Sequence, residues 1–432
     1  MQSKKNILLK NGHVVDPAND VDSVSDVLIL DGKISKVSKD IVPENEDIEV
    51  IDVSGKVVVP GLIDCHVHLR EPGYEAKETI ETGSRAAARG GFTTIMCEPN
   101  TNPPIDDVEQ VENLMKRVNE KGLVNIYTKA CITKGSKGET LTDMERLSNH
   151  SSVVAFSDDG NPVLKKNLME DALRTASQNN KPLSPHCEDS GFLSVEDISK
   201  AELGFSPGKI FENEANYILR DIGFARSTGC TGYHIHFSHV SLKESIEHIR
   251  KWKSPTNITC EVTPHHLLLD RDYRDANGER PKVNPPLRSK DDVQSIRKGL
   301  SEGVIAVIAS DHAPHTLDDK KAGVPGVIGL ETTLGLVITK LVNPGIISLK
   351  DAILKMSTNP ANIFKVSGGS LLPGTPADVT IIDMNKEWKV DVNDFESKSR
   401  NSPFHGWELK GQAVMTIVAG RIVMREGSVL GH

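Results

Sequence analysis

Eight apolar runs of strand length alternate with segments of helical spacing, and this rhythm limits the fold more tightly than any other feature of the chain. The runs lie at residues 57–66, 92–97, 125–132, 153–157, 182–186, 233–239, 258–263 and 304–310. Helical spacing fills the intervals at 78–89, 108–120, 168–178, 214–227, 242–252 and 291–301. Strands alternating with helices build a parallel sheet, and eight repeats predict an α/β fold with a (β/α)8 TIM-like barrel. The flanks read differently. Short alternating pieces with turns at Asn11-Gly12 and Asp31-Gly32, and again near the C-terminus at Ala419-Gly420, are hairpin signals. They predict a small β-sandwich domain assembled from both chain ends, residues 1–55 and 366–432, around a barrel at 56–365.

Composition narrows the class. The chain of 432 residues is 37% hydrophobic and 26% charged, ordinary for a globular protein. No run approaches the roughly 20 apolar residues that span a bilayer, and the N-terminus lacks the apolar core and cleavage site of a signal peptide, so the expected location is the cytoplasm, with no membrane partner. Six scattered cysteines without a CxxC pair suggest reduced core thiols. A formal charge of −9 without a long basic cluster argues against nucleic acid. An anionic small substrate would then need positive charge gathered inside a pocket.

The chemistry-bearing residues sit at strand ends. In Asp64-Cys65-His66-Val67-His68, two histidines spaced by two on a strand share a face and can present imidazoles to one ion. Asp158-Asp159, His186, His239 and Asp311 close four later runs. Barrel enzymes build their sites where the strands end, so these residues converge on one mouth. Four histidines with one or two aspartates suit two borderline cations, zinc first, and suit calcium or magnesium less. His234 and His236 have the parity opposite to His239 and are expected to pack or hydrogen-bond. His265 and His266 are candidates for supporting the ligands, and Cys187 is expected to be a buried thiol.

With these residues in view, the chain resembles class I bacterial dihydroorotases of the amidohydrolase superfamily. The likeness rests on residues 64–73 (DCHVHLREPG), Pro99-Asn100-Thr101, His186-Cys187-Glu188-Asp189, residues 283–288 (VNPPLR) and 310–315 (SDHAPH), and continues into residues 371–383. The resemblance implies reversible, zinc-dependent cyclisation of N-carbamoyl-L-aspartate to L-dihydroorotate, with two zinc ions per subunit. It implies that His66, His68 and Asp311 bind one ion, His186 and His239 the other, and Asp159 both, Asp158 being the alternative. Asp311 would also carry the catalytic proton. Substrate contacts are implied at His68, Leu69, Arg70, Asn100, Asn284, His315, Pro325 and Gly326. A homodimer and a complex with aspartate transcarbamoylase are the implied assemblies.

Two departures stand out. Glu98 occupies the place of a usual methionine, which brings an extra negative charge near the substrate unless it points away. Pro325-Gly326 replaces a usual Phe-Gly, a change that backbone contacts can survive. The competing readings are a hydantoinase or allantoinase type of cyclic amidohydrolase, which usually has a bridging lysine, and an inactive subunit of a transcarbamoylase complex, which commonly loses the ligands retained here.

Overall fold

Both ends of the chain meet in one sheet. The computed structural model describes residues 6–43, 47–188, 214–230, 232–253 and 257–431. The N-terminal flank supplies β1 (Asn6–Asp16), β2 (Val21–Leu30), β3 (Lys33–Ser38), β4 (Ile48–Asp52) and β5 (Val57–Pro60). β2 and β3 turn at Asp31-Gly32, both in the left-handed region, as the hairpin signal requires. Only Gly61 separates β5 from β6 (Leu62–Val67), and a Cβ there would lie 2.1 Å from Thr93 Oγ1, so no larger residue fits this junction.

Parallel strands follow: β6, β7 (Phe92–Cys97), β8 (Asn125–Ala130) and β9 (Val153–Phe156) pair in order, as do β10 (Ile235–Phe237), β11 (Ile258–Val262) and β12 (Val307–Ile308). Parallel bridges Phe156↔Leu183 and Leu183↔Ile235 link the two groups on one side, and Val67↔His312 links them on the other. Parallel pairing therefore runs from β6 through β12 and back to β6.

Helices between these strands fall close to the expected segments, at Ile80–Gly90, Val108–Lys121, Lys166–Gln178, Glu214–Ser227, Lys243–Trp252 and Lys290–Ser301. The first shows why. Thr79 accepts from the Thr82 amide in a capping box, and Gly91, at φ 90°, stops the helix directly before β7. Its buried face packs Ile80, Ala87 and Ala88 into the main core.

Three expected strands are much shorter than their apolar runs, and that at 233–239 keeps Ile235–Phe237. The run at 182–186 keeps only a bridge at Leu183, because Pro182 and Pro185 have no N–H to donate. The run at 304–310 shrinks to Val307–Ile308, and the chain then turns so that the Ser310 amide donates to Asp64.

The C-terminal flank adds β13 (Val379–Lys389), β14 (Glu408–Val418), β15 (Arg421–Arg425) and β16 (Ser428–Val429). Antiparallel pairing of β13 with β5 joins the two flanks in a nine-stranded sheet ordered β16-β15-β14-β13-β5-β1-β2-β3, with β4 on β1. Alternate residues such as Ile7, Leu9, Ile29, Ile381 and Ile417 form its own core. Among the described residues, no helix is long and apolar enough to cross a membrane.

Candidate metal centre

Strand ends bring the ligand candidates together. His66 lies in β6 and His68 just past it, while Asp159, His186, His239 and Asp311 follow β9, Leu183, β10 and β12. His239 (φ 35°) and Asp311 (φ 47°) occupy the left-handed region, which side-chain-bearing residues adopt only when the surroundings hold them there. All six are buried.

Their reactive atoms face one another. Asp311 Oδ1 lies 3.2 Å from His68 Nε2 and 3.7 Å from His66 Nε2. Asp159 Oδ1 lies 3.5 Å from His66 Nε2, 3.2 Å from His186 Nδ1 and 3.7 Å from His239 Nε2, and its Oδ2 lies 3.6 Å from His68 Nε2. His66, His68 and Asp311 form one cation-sized triad; His66, Asp159 and His239 form another. His66 Nε2 is buried without a hydrogen-bond partner among the described residues, as a ring nitrogen reserved for a cation would be. Imidazole with carboxylate is a donor set for zinc and its neighbours in the first transition row, so the residues fit a cation of that class.

Electrostatics agree with that role. Burial works to raise the pKa of Asp311, but the His68 hydrogen bond and the charges of His66 and His68 outweigh it and hold this carboxyl below the usual range. Asp159 behaves alike: burial opposes ionisation, and contacts from His186, His239 and His66 prevail. Its neighbour Asp158 turns away, accepting from the amides of Ile132 (2.8 Å) and Thr133 (3.1 Å) and from the Thr133 hydroxyl. Burial pushes the Asp158 carboxyl up to about 6.

Further residues orient the candidate ligands. Glu261, on β11, accepts from His66 Nδ1 at 2.6 Å, which leaves Nε2 aimed at the acids; its other oxygen reaches His236 Nε2 (3.0 Å) and Cys65 Sγ (2.9 Å). Asn100 joins two ligands, with Oδ1 3.1 Å from His68 Nδ1 and Nδ2 donating to Asp159 Oδ2 at 2.9 Å. His234 and His236 hydrogen-bond Thr259, as expected of histidines that pack or hydrogen-bond, whereas His266, a candidate for supporting the ligands, contacts Thr263 and the Pro285 carbonyl. Cys187 lies against Asp221, away from the ligands.

Glu98 is paired inside the protein. It is buried in contact with the equally buried Lys129, with Oε1 3.7 Å from His66 Nε2. The Lys129 ammonium therefore neutralises the unexpected carboxylate, and it also donates to Ser184 Oγ at 3.2 Å. Burial works against the Lys129 charge, but Glu98 and Glu261 hold its pKa above the ordinary lysine value.

The expected substrate residues divide into two groups. Arg70 Nε donates to the Pro314 carbonyl (3.2 Å), and its Nη2 lies 3.3 Å from His315 Nε2, so guanidinium and imidazole form one polar wall beside the ligands. Burial and then the Arg70 charge lower the His315 pKa to about 3, keeping the ring neutral. A Cβ on Gly326 (φ 134°) would meet the His315 ring at 2.9 Å, which is why this loop position has none. The Gly326 amide is committed to the Lys282 carbonyl and its carbonyl to Lys320 and Asn401. Asn284 and Pro325 line an adjoining cavity. The Leu69 side chain packs against Gly83, so only its backbone is available to the site.

Glu261 and Lys129 escape a reading of the sequence. The one available signal is a charged residue inside an apolar strand run, which demands a buried partner without identifying it.

The chain is similar to known proteins over nearly its full length. A family described as Dihydro-orotase-like matches residues 55–245. The dihydroorotase of Acetivibrio thermocellus is 42% identical over 434 residues, covering 98% of this chain and 100% of that protein. The dihydroorotase of Pelotomaculum thermopropionicum is 44% identical over 429 residues, covering 97% and 99%. Among solved structures, an L-hydantoinase (dihydropyrimidinase) from Arthrobacter aurescens superposes with a TM-score of 0.86 at 27% identity, covering 99% and 98%.

Proposed function

Because the chain belongs to the dihydroorotase family, we propose that it interconverts N-carbamoyl-L-aspartate and L-dihydroorotate, the cyclic-amide step of pyrimidine biosynthesis. The observation that carries this reading is the meeting of His66, His68, Asp159, His186, His239 and Asp311 beside the Arg70–His315 wall. Dihydroorotate presents a free carboxylate for a guanidinium to grip, whereas a hydantoin ring has no obligatory one. The fold that supports the site is a (β/α)8 barrel at 56–365, consistent with the ring of parallel pairing, with a β domain from 1–55 and 366–432.

His66, His68 and Asp311 would hold one zinc ion and His186 and His239 a second, with Asp159 between the two sets. Bound zinc supplies Lewis acidity to the amide carbonyl and acidifies a neighbouring water. The chain's own residues do the rest. Arg70, with His315 as a neutral neighbour, fixes the substrate carboxylate and thereby the ring. Asp311, ionised at rest, accepts the proton of the attacking water at Oδ2, the oxygen not turned to His66 and His68, and returns it to the ureido nitrogen as the C–N bond breaks. Ring closure runs through the same positions in reverse. Asn100 keeps His68 and Asp159 in register, and Asn284 offers its amide to the ring edge.

Dihydroorotate hydrolysis, measured with metal quantification on the same sample, tests the reading. About two zinc ions per chain and turnover that Asp311→Asn lowers by 10²–10⁴-fold are expected. A zinc-loaded protein that turns over hydantoins or allantoin and ignores dihydroorotate would refute it. The family resemblance also implies a cytoplasmic homodimer able to bind aspartate transcarbamoylase, which size-exclusion chromatography with and without that enzyme checks.

A further inference from the structure

Beside the centre lies a cavity of about 430 Å³ whose wall includes Arg271, Arg280, Lys282, Asn284 and Pro325. The three cationic residues are exposed, and none forms an ion pair among the described residues. Two of the nearby acids are already engaged: Asp319 faces Lys77 Nζ at 3.4 Å and caps its own helix, while Asp275 accepts from the amides of Asn277 and Glu279. The uncompensated charge is felt locally. Burial, and next the Lys282 charge, lower the pKa of Lys320 to about 8. Carrying unpaired cations at one place is unusual for a protein of formal charge −9.

This cavity is tied to the site. Lys282 holds the Gly326 amide through its carbonyl, Pro325 forms part of the wall, and the other side of Gly326 rests on His315, which touches Arg70. Wall and carboxylate grip are thus separated by one glycine.

We propose that this basic cavity is an outer capture site for dicarboxylates, selecting the open-chain substrate before it reaches Arg70. The inference rests on the carbamoyl-aspartate reading above. The open-chain form has two carboxylates and the ring has one, so cations at the rim favour the open-chain form in proportion to charge. A negatively charged surface would otherwise repel a dianion, and a cationic cleft focuses it.

The test titrates the zinc-loaded full chain with succinate, a non-reacting dianion, and with its monoamide succinamate, by calorimetry. The variant is Arg280→Gln with Lys282→Gln, exposed positions whose folding circular dichroism verifies; Lys282→Glu serves as a second variant. With screened charges several ångströms from the ligand, removing two cations weakens succinamate roughly threefold and succinate roughly tenfold, the square of that factor. Both losses shrink at 1 M KCl, where the Debye length is about 3 Å. Equal losses for the two ligands, unchanged affinities, or losses indifferent to salt would each overturn the proposal. Charge-dependent succinate binding in a protein that processes neither carbamoyl aspartate nor dihydroorotate would instead leave the cavity assigned and refute the enzymatic reading.

Discussion

Replacing Lys129 by methionine strips the partner from a carboxylate that has no water to turn to. Lys129 and Glu98 are both buried and in contact, and among the described residues the other ion-pair neighbour of Glu98 is His66 Nε2 at 3.7 Å. At a contact separation of about 3 Å and an effective dielectric of about 20, the pair attraction is about 5–6 kcal/mol, most of it offset by desolvation while both partners remain. Removing one partner loses the attraction and keeps the desolvation of the other, so Lys129→Met costs about 3–5 kcal/mol. The double variant Glu98→Met/Lys129→Met removes both charges and fills the space with apolar side chains. It returns to within about 1 kcal/mol of the parent, so adding Glu98→Met to Lys129→Met recovers about 2–4 kcal/mol. Equilibrium guanidinium unfolding of the parent, both single variants and the double variant measures this. A double variant as unstable as the sum of the singles would show that the pair is no unit and that each side chain contributes through separate packing.

Other outcomes follow from the same contacts. Glu261→Gln removes the anion that orients His66 and lowers zinc affinity about 10–100-fold in chelator competition, with the fold retained by circular dichroism. Gly326→Ala puts a methyl against His315 at a φ that alanine resists, so KM for dihydroorotate rises while bound zinc, read by metal analysis, stays the same. Burial holds the Glu331 carboxyl up to about 8 from 4.5, so the native state keeps a proton that the unfolded chain has released. Stability therefore falls as pH rises from about 4.5 to about 8, and Glu331→Gln flattens that slope in unfolding midpoints taken at pH 5 and 8.5.

The strand–helix rhythm was legible because apolar runs and helical periodicity are local properties, and so was the set of histidines and aspartates that ends those runs and converges in the structure. Legibility failed where the answer depends on distance along the chain. His66 and Glu261 are 195 positions apart, so a glutamate in an apolar strand could not be matched to its histidine. Asp158 and Asp159 are neighbours with opposite surroundings, and which one faces the histidines depends on how the backbone leaves β9. Glu98 read as a charge near the substrate because its neutralising lysine lies on another strand. The prolines at 182 and 185 could have warned that the fifth run would pair over little of its length.

The single glycine between β5 and β6 leaves no slack where the outer sheet hands the chain to the strand bearing His66. Trimming the first sixty residues to obtain a minimal enzyme would cut the anchor from that strand, and a flexible linker spliced in at Gly61 would let the histidine wander. Domain shuffling, common where modules meet through loose tethers, has no foothold here: the outer sheet and the histidine-bearing strand must be inherited together.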